Sequence, residues 1–341
     1  MTNRVQVSSP SAVRDAVRDI FGVLYPAHAF DAVWIAFHDF ERFFLGLEPD
    51  YHAVDTTYHD IQHTLDMTLA LARLIAGHEI TVSASDKLGA DRASLAIITA
   101  LFHDSGYLRH RRVDRDSIRG AEFTLSHVSR SASFLSSYLP RIGLDDLVSV
   151  STQIVHFTGY EKSLDDIELD DPKDSIAGHL LGTADLIAQL ADRCYLEKCR
   201  DRLFPEFILG GIAVEHAPDG TLVRYRSGLD LLAQTLRYYQ HYARRRLEKD
   251  FNRAYRYAEP FFEGINPYMI CIEKNLSHLG QILLTNDWGK LRRHPVCVVP
   301  DESGEAKLMY LALERIRAMS ETHNGPREPD GPGTPRPAVS F

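Results

Sequence analysis

Cysteine is scarce in this chain, and the cysteines present are poorly spaced for a structural site. The 341 residues include only four of them. Cys194 and Cys199 lie five residues apart on one predicted helix, which is not the spacing of a zinc knuckle. We therefore expect reduced thiols in a core, and neither a disulfide framework nor a cysteine-ligated metal.

Long apolar runs and an excess of positive charge are missing as well. No apolar stretch approaches the length of about 18 residues that a membrane-spanning helix needs, and the first ten residues have no signal-peptide core. The formal net charge is −9, whereas binding to a nucleic acid polymer or a membrane surface needs a basic face. We expect a cytoplasmic protein that binds neither.

Helical patterns dominate what is present, and they predict an all-α fold with a small β-hairpin between residues 212 and 225. We predict an N-terminal helix in 1–29, a helical bundle in 30–210, a hairpin and further helices packed on it in 211–320, and a disordered tail in 321–341. The predicted helices cover 10–24, 30–45, 57–76, 95–102, 121–138, 144–157, 171–191, 227–257, a stretch beginning at 266, and 306–319.

The most apolar of these helices ends in a carboxylate. Leu95–Phe102 carries one hydroxyl group among eight residues, a pattern typical of a helix buried on every side. His103 and Asp104 follow directly, and Gly106 provides a helix stop. A buried carboxylate must be neutralised, paired or bound to a metal, and a neighbouring imidazole favours the metal.

Histidine or aspartate also occurs inside the other predicted helices, and successive candidate positions are separated by gaps of 40, 23, 29 and 29 residues. This spacing suits one ligand position on each successive helix of a bundle whose core faces a common centre. Four imidazoles and two carboxylates can hold two divalent ions (Mn, Fe, Mg or Zn) if one carboxylate bridges them, and Asp104 is the predicted bridge. The predicted metal ligands are His63, His103, Asp104, His127, His156 and Asp185.

These residues also have structural interpretations. A buried ion pair would explain most histidine–aspartate pairs, and the chain has two others, at 38–39 and 59–60. His38, among aromatic residues, is predicted to be a packed core histidine. His127 could be a half-buried, hydrogen-bonded histidine, and His156 could be stabilised by a helix dipole. Asp185 is harder to explain in this way, because no basic residue lies within one turn of it.

His59 is a candidate general acid. It lies four residues before His63, so both rings are predicted to project from one helix face into the same cavity. An imidazole can give a proton to a departing oxygen near neutral pH. The alternative is a surface histidine at a helix start.

Four further residues are candidates for substrate binding. Gln189 and Arg193 lie one and two turns beyond Asp185 on the same predicted stripe, where Arg193 would meet an anion. Arg109 and Arg111 belong to segment 109–119, which has five arginines and two aspartates and could clamp an anionic substrate. A solvated charged loop is the alternative for that segment.

With these residues identified, the chain resembles the HD-domain metal-dependent phosphohydrolases. The order His63, His103-Asp104, His127, His156, Asp185 matches their two-metal signature residue by residue. Residues 58–66, Tyr-His-Asp-Ile-Gln-His-Thr-Leu-Asp, are similar to the Tyr-His-Asn-x-x-His-Ala-x-Asp motif of the class I cyclic nucleotide phosphodiesterases, in which the first histidine is the general acid and the second a metal ligand. The match covers roughly 57–207. Asp60 replaces the asparagine, and the class I histidine four residues after the histidine–aspartate pair is missing.

The resemblance implies an HD-domain bundle over 30–210 that hydrolyses a small anionic phosphoester, with a cyclic or other nucleotide phosphodiester expected. Two divalent ions would activate a water as hydroxide with the help of Asp104, and His59 would protonate the leaving alkoxide. Two alternatives stay open. Myo-inositol oxygenase and its relatives hold two irons with a similar ligand set, and a non-catalytic nucleotide-binding sensor is the other. A homodimer is also left open.

Overall fold

The computed structural model describes residues 5–217 and 220–295. Helices make up most of this part of the chain, so the prediction of an all-α protein is confirmed. The helices are α1 Pro10–Leu24, α2 Asp31–Phe44, α3 Ile61–Thr81, α4 Ala90–Phe102, α5 His127–Tyr138, α6 Val148–Ile154, α7 Pro172–Ala191, α8 Tyr195–Lys198, α9 Phe204–Leu209, α10 Gly228–Tyr238, α11 Ala258–Phe261 and α12 Pro267–Thr285.

Shorter elements connect these helices. Strands β1 Val214–Ala217 and β2 Gly220–Val223 pair antiparallel, with Val214 opposite Val223. Short 3₁₀ turns occupy Ser105–Tyr107, Gly120–Phe123, Leu139–Ile142, Asp145–Leu147, Val155–Thr158, Leu164–Asp166, Ala254–Tyr257 and Trp288–Lys290. π-helical turns occupy Cys199–Leu203, Tyr239–Ala243 and Arg246–Asp250.

Side-chain caps fix where the long helices begin. The Ser9 hydroxyl accepts a hydrogen bond from the Ala12 amide, and Pro10 takes the first helical position of α1. Asp171 caps α7 in the same way, again with a proline directly after the cap. The predicted starts of α1 and α7 are confirmed because capping is a local signal that needs no tertiary contact.

Helices α3, α4 and α7 form the centre of the molecule. Every residue of Leu95–Phe102 in α4 is buried, as its apolar pattern predicts. α3 packs against α7, α4 and α1, and α7 also packs against α12. One apolar core therefore includes residues from α1 to α12. The domain boundaries given above stay a prediction.

Several predicted helices differ from the observed ones. α3 begins at Ile61 rather than near residue 57, and α5 begins at His127, after a 3₁₀ turn, rather than at 121. The predicted helix 144–157 is α6 with a 3₁₀ turn on each side. The predicted helix 227–257 is α10 followed by two π-helical turns, a break at 251–253 and the 3₁₀ turn Ala254–Tyr257. Helix 306–319 and the tail 321–341 lie outside the described residues. No helix of the described chain is both long and apolar enough to cross a membrane.

Candidate metal centre

Three buried side chains from separate helices meet at one point. His63 comes from the first turn of α3, His103 directly follows α4, and Asp185 lies within α7. One ligand atom of each lies within 4.8 Å of the others. His63 Nε2 is 3.3 Å and His103 Nε2 is 3.9 Å from Asp185 Oδ1. This group can hold a metal ion.

Asp104 lies beside this group and faces two directions. Its Oδ2 is 3.2 Å from His103 Nε2 and 3.6 Å from His63 Nε2, whereas its Oδ1 is 3.9 Å from His127 Nε2. The residue is 2% exposed. Burial raises the pKa of its carboxyl group, but the imidazoles of His103 and His59 outweigh that effect and hold the pKa well below its usual range. Asp104 is therefore ionised, with one oxygen on each side.

Backbone carbonyls orient two of the imidazoles. His103 Nδ1 donates to the Ala100 carbonyl at 2.8 Å, and His127 Nδ1 donates to the Thr124 carbonyl at 2.7 Å. Each bond places a proton on Nδ1 and turns Nε2 toward Asp104, as in metal sites where the second ring nitrogen is anchored. Burial lowers the pKa of His103, but Asp104 and Asp185 raise it to about 9. A divalent ion binding here would displace the Nε2 proton.

Buried polar atoms without hydrogen-bond partners show whether a metal ion fits this group. Within the described chain, His103 Nε2, Asp104 Oδ2 and Asp185 Oδ1 are buried and have no hydrogen-bond partner. Buried polar atoms are normally hydrogen-bonded, so three converging exceptions indicate a missing shared partner. Two carboxylates and several imidazoles are a ligand set that suits a divalent ion such as zinc, iron or manganese.

The remaining two predicted ligands differ in placement. His127 is buried at the start of α5 and reaches Asp104 as described above. His156 lies in the 3₁₀ turn Val155–Thr158, and neither of its ring nitrogens comes within 4.0 Å of a carboxylate oxygen of the described residues. Its Nδ1 is buried without a hydrogen-bond partner. The group formed by His63, His103 and Asp185 does not include His156, so the assignment of His156 as a metal ligand stays a prediction.

Gly106 allows two parts of the site to approach closely. A Cβ at this position would lie 1.8 Å from the carbonyl oxygen of His127. The Gly106 amide also donates to the Ser131 hydroxyl at 2.8 Å. The turn that carries Asp104 can pack on the start of α5 only because residue 106 has no side chain.

His59 lies next to the site, but it does not lie on α3 as predicted. The Asp60 carboxylate accepts from the His63 amide at 2.9 Å and caps α3, so His59 precedes the helix. The prediction that His59 and His63 share a helix face is wrong for this reason. Asp60, which departs from the phosphodiesterase motif, serves as a cap that asparagine could also form.

Glu206 of α9 holds His59 instead. Its Oε1 accepts from His59 Nδ1, and its Oε2 accepts from the Tyr58 amide at 2.8 Å. His59 and Glu206 are 3% and 1% exposed. Burial lowers the pKa of His59, but the carboxylates of Glu206 and Asp104 outweigh it and raise the pKa to about 9. We call these two residues the His59–Glu206 pair.

Aromatic stacking fixes the plane of the His59 ring. Tyr107 stacks on two imidazoles, with its ring centroid 4.8 Å from that of His59 and 4.7 Å from that of His127. The two stacks have interplanar angles of 21° and 17°. The His59 and His63 centroids are 5.7 Å apart, so the ring of His59 borders the metal-binding group.

Sequence reasoning did not identify Glu206. The signal was nonetheless present: it is the one carboxylate in the apolar stretch Phe204–Leu209, the same pattern that singled out Asp185. Its partner lies 147 positions earlier in the chain, and no local pattern connects the two.

The predicted substrate-binding residues Gln189 and Arg193 do not lie on one face of α7. Gln189 is buried near His63, where its Oε1 accepts from the Tyr58 hydroxyl at 3.1 Å and its Nε2 has no partner in the described chain. Arg193 is exposed, because α7 ends at Ala191. Its predicted place on the Asp185 stripe is wrong.

The basic segment lies in a loop. Arg109 forms an ion pair with Asp55 at 2.9 Å and donates to the Ser117 carbonyl, and Arg119 shares the same carboxylate at 3.5 Å. Arg111 is exposed and contacts His52 Nδ1 at 3.2 Å. The solvated-loop alternative therefore fits Arg111, whereas the side chains of Arg109 and Arg119 are only 14% and 13% exposed. His38, predicted to be a packed core residue, is exposed as well, with 63% of its side-chain surface accessible.

Comparison of the chain with models of known protein families, with curated protein sequences and with solved structures found no match.

Proposed function

We propose that this protein is a metal-dependent phosphohydrolase that cleaves a phosphodiester, with nucleotides as the substrate class. The observation that carries the proposal is a buried metal-binding group, His63, His103 and Asp185, bordered by the His59–Glu206 pair. A Lewis-acid site beside a protonated imidazole is a combination suited to phosphoester hydrolysis. The resemblance to HD-domain phosphohydrolases supports the same assignment.

The ligands divide between two ions in this proposal. His63, His103, Asp185 and Oδ2 of Asp104 would hold the first, and Oδ1 of Asp104 with His127 would contribute to the second. When bound, the ions would stabilise charge on a phosphoryl oxygen and lower the pKa of a water. Asp104 would bridge the ions, and its burial beside His103 keeps the carboxylate in the ionised form that this role needs.

The protein's own residues would manage the leaving group. His59, with Nδ1 bound to Glu206, would donate its Nε2 proton to the departing alkoxide oxygen. Tyr107 would keep the ring in plane, and Glu206 would keep it protonated. The unpartnered Nε2 of Gln189 would offer a hydrogen bond to the substrate near His63.

Elemental analysis of the purified full chain, followed by a substrate panel, tests the proposal. The panel would contain cyclic nucleotides, dinucleotides and bis(p-nitrophenyl) phosphate. We expect at least one divalent ion per chain, and phosphodiester cleavage that chelation abolishes and metal restores. Oxygen consumption by iron-loaded protein without ester cleavage would instead support the oxygenase. Tight nucleotide binding without turnover under Mn, Mg, Fe and Zn would support the sensor.

A further inference from the structure

A second cavity lies outside the metal centre. It has a volume of about 250 Å³ and lies between the loop 160–164 and the helical segment 242–250. The residues that line it and matter here are Tyr160, Lys162, Tyr242, Arg245, Arg246 and Asp250. None of them belongs to the metal-binding group or to the His59–Glu206 pair.

Arg246 is a buried cation with no anionic partner. It is 6% exposed. Within the described chain, no carboxylate oxygen lies within 4.0 Å of its guanidinium group and no acceptor receives a hydrogen bond from it. Its nitrogens nevertheless reach solvent, because none of them is among the buried side-chain atoms of the described chain that lack a hydrogen-bond partner. The donors of Arg246 are therefore accessible, unpaired and part of the cavity lining.

Aromatic rings cover the faces of this guanidinium group but do not satisfy its donors. Its central carbon lies 4.0 Å from the ring centroid of Tyr160 and 5.0 Å from that of Phe251. Such cation–π contacts use the flat face of the group. The five N–H donors lie in its plane, and a bidentate anion is the ligand they suit.

Most of the other charges that line the cavity are also positive. Lys162 Nζ donates to Gln153 Oε1 at 2.9 Å and pairs with no carboxylate of the described residues. Arg245 lies 3.6 Å from Asp250, the one carboxylate that lines the cavity. Three cations against one anion contrast with a protein whose net charge is −9. The local excess favours a dianionic ligand.

We propose that this cavity binds a small ligand through a phosphoryl group, with the Arg246 guanidinium as the central donor and Lys162 at the rim. Two oxygens of a tetrahedral phosphate can accept two parallel hydrogen bonds from one arginine. Its volume of about 250 Å³, below the roughly 300–1,000 Å³ of sites for drug-sized molecules, suits inorganic phosphate or the phosphoryl end of a small phosphate ester. Tyr160 and Tyr242 flank the space that an ester group would occupy.

Calorimetric titration of the full chain with inorganic phosphate and with phenyl phosphate, in the presence of a chelator, tests this proposal. The chelator removes metal from the other site. We expect wild-type protein to bind phosphate, and Arg246→Met to bind it about 10-fold more weakly or worse, because a charged hydrogen-bond donor is lost. Phenyl phosphate binding more tightly than phosphate would identify an ester as the occupant, and equal affinities would identify phosphate itself.

Three further variants make the result decisive. Lys162→Gln should weaken phosphate binding about 3-fold, since it removes one partly exposed charge. Arg244→Gln removes an exposed charge from the same segment and should change nothing, and His103→Ala should leave the affinity unchanged. The proposal would be overturned if wild-type protein did not bind phosphate or if Arg246→Met bound it with unchanged affinity. It would also be overturned if, among the variants, only His103→Ala lost phosphate binding. If circular dichroism shows that Arg246→Met is unfolded, unchanged affinity in Lys162→Gln would overturn it.

Discussion

Replacing Glu206 by glutamine isolates the role of the His59–Glu206 pair, because the amide is nearly isosteric and can still accept from the Tyr58 amide. The variant removes the nearest negative charge from a buried imidazole. Since Glu206 is a principal reason that the pKa of His59 stands near 9, the pKa should fall in the variant. Less of the imidazolium acid would then be present at pH 8.

General acid catalysis contributes about 10²–10⁴-fold to such reactions. Because Glu206→Gln weakens the acid without removing it, we expect a loss of about 10- to 100-fold in kcat/KM for alkyl leaving groups at pH 8. His59→Ala should lose the full factor. Cleavage of bis(p-nitrophenyl) phosphate should fall by only about 3-fold, since p-nitrophenolate departs with little need of a proton. Metal content should stay unchanged in both variants.

The assay is kcat/KM for a series of phosphodiesters with leaving groups of increasing pKa, measured between pH 6 and pH 10. A general acid is active when protonated, so the rate should fall as pH rises through the pKa of His59. In Glu206→Gln that fall should move to lower pH. Glu197→Gln is the matched control, because Glu197 is equally buried and bonds to the Arg293 amide instead. A leaving-group dependence identical in wild type and Glu206→Gln would refute the assigned roles.

Three other predictions follow from particular positions. His103→Ala should reduce bound metal to about a tenth or less, because even the loss of a hydrogen-bond partner of a ligand weakens metal binding about 10- to 100-fold. The control is His38→Ala, which should keep full metal content, since His38 also precedes an aspartate but is exposed. Arg193→Ala should leave activity unchanged and the free energy of unfolding within about 0.5 kcal/mol, and a large loss of activity would restore its substrate role. Gly106→Ala should lower the free energy of unfolding in urea by about 1–3 kcal/mol, whereas Gly22→Ala, with open space around it in α1, should raise it by about 0.5–1 kcal/mol.

The sequence predicted the parts of the site that depend on local pattern. His103, Asp104 and Asp185 were recognisable because each interrupts or ends an apolar helix, where an unpaired polar group needs a reason to be buried. The caps of α1 and α7 were equally readable, since a cap acts within one turn.

The parts that failed depend on backbone geometry or on distant contacts. A continuous helix is expected around His156, but the residue lies in a 3₁₀ turn that follows α6. Arg193 is predicted on the helix face of Asp185, two turns further along, but α7 ends two residues before Arg193. The partners of Arg109 and Glu206 lie 54 and 147 positions away, and such pairing is set by tertiary packing that no local pattern reveals.

Diffraction from manganese-soaked crystals, with anomalous scattering used to locate the ions, tests the central claim most directly. The account predicts a strong peak within bonding distance of His63, His103, Asp104 and Asp185, and a second peak between Oδ1 of Asp104 and His127. A strongest peak elsewhere in the molecule, or ordered manganese that contacts none of these side chains, would contradict it.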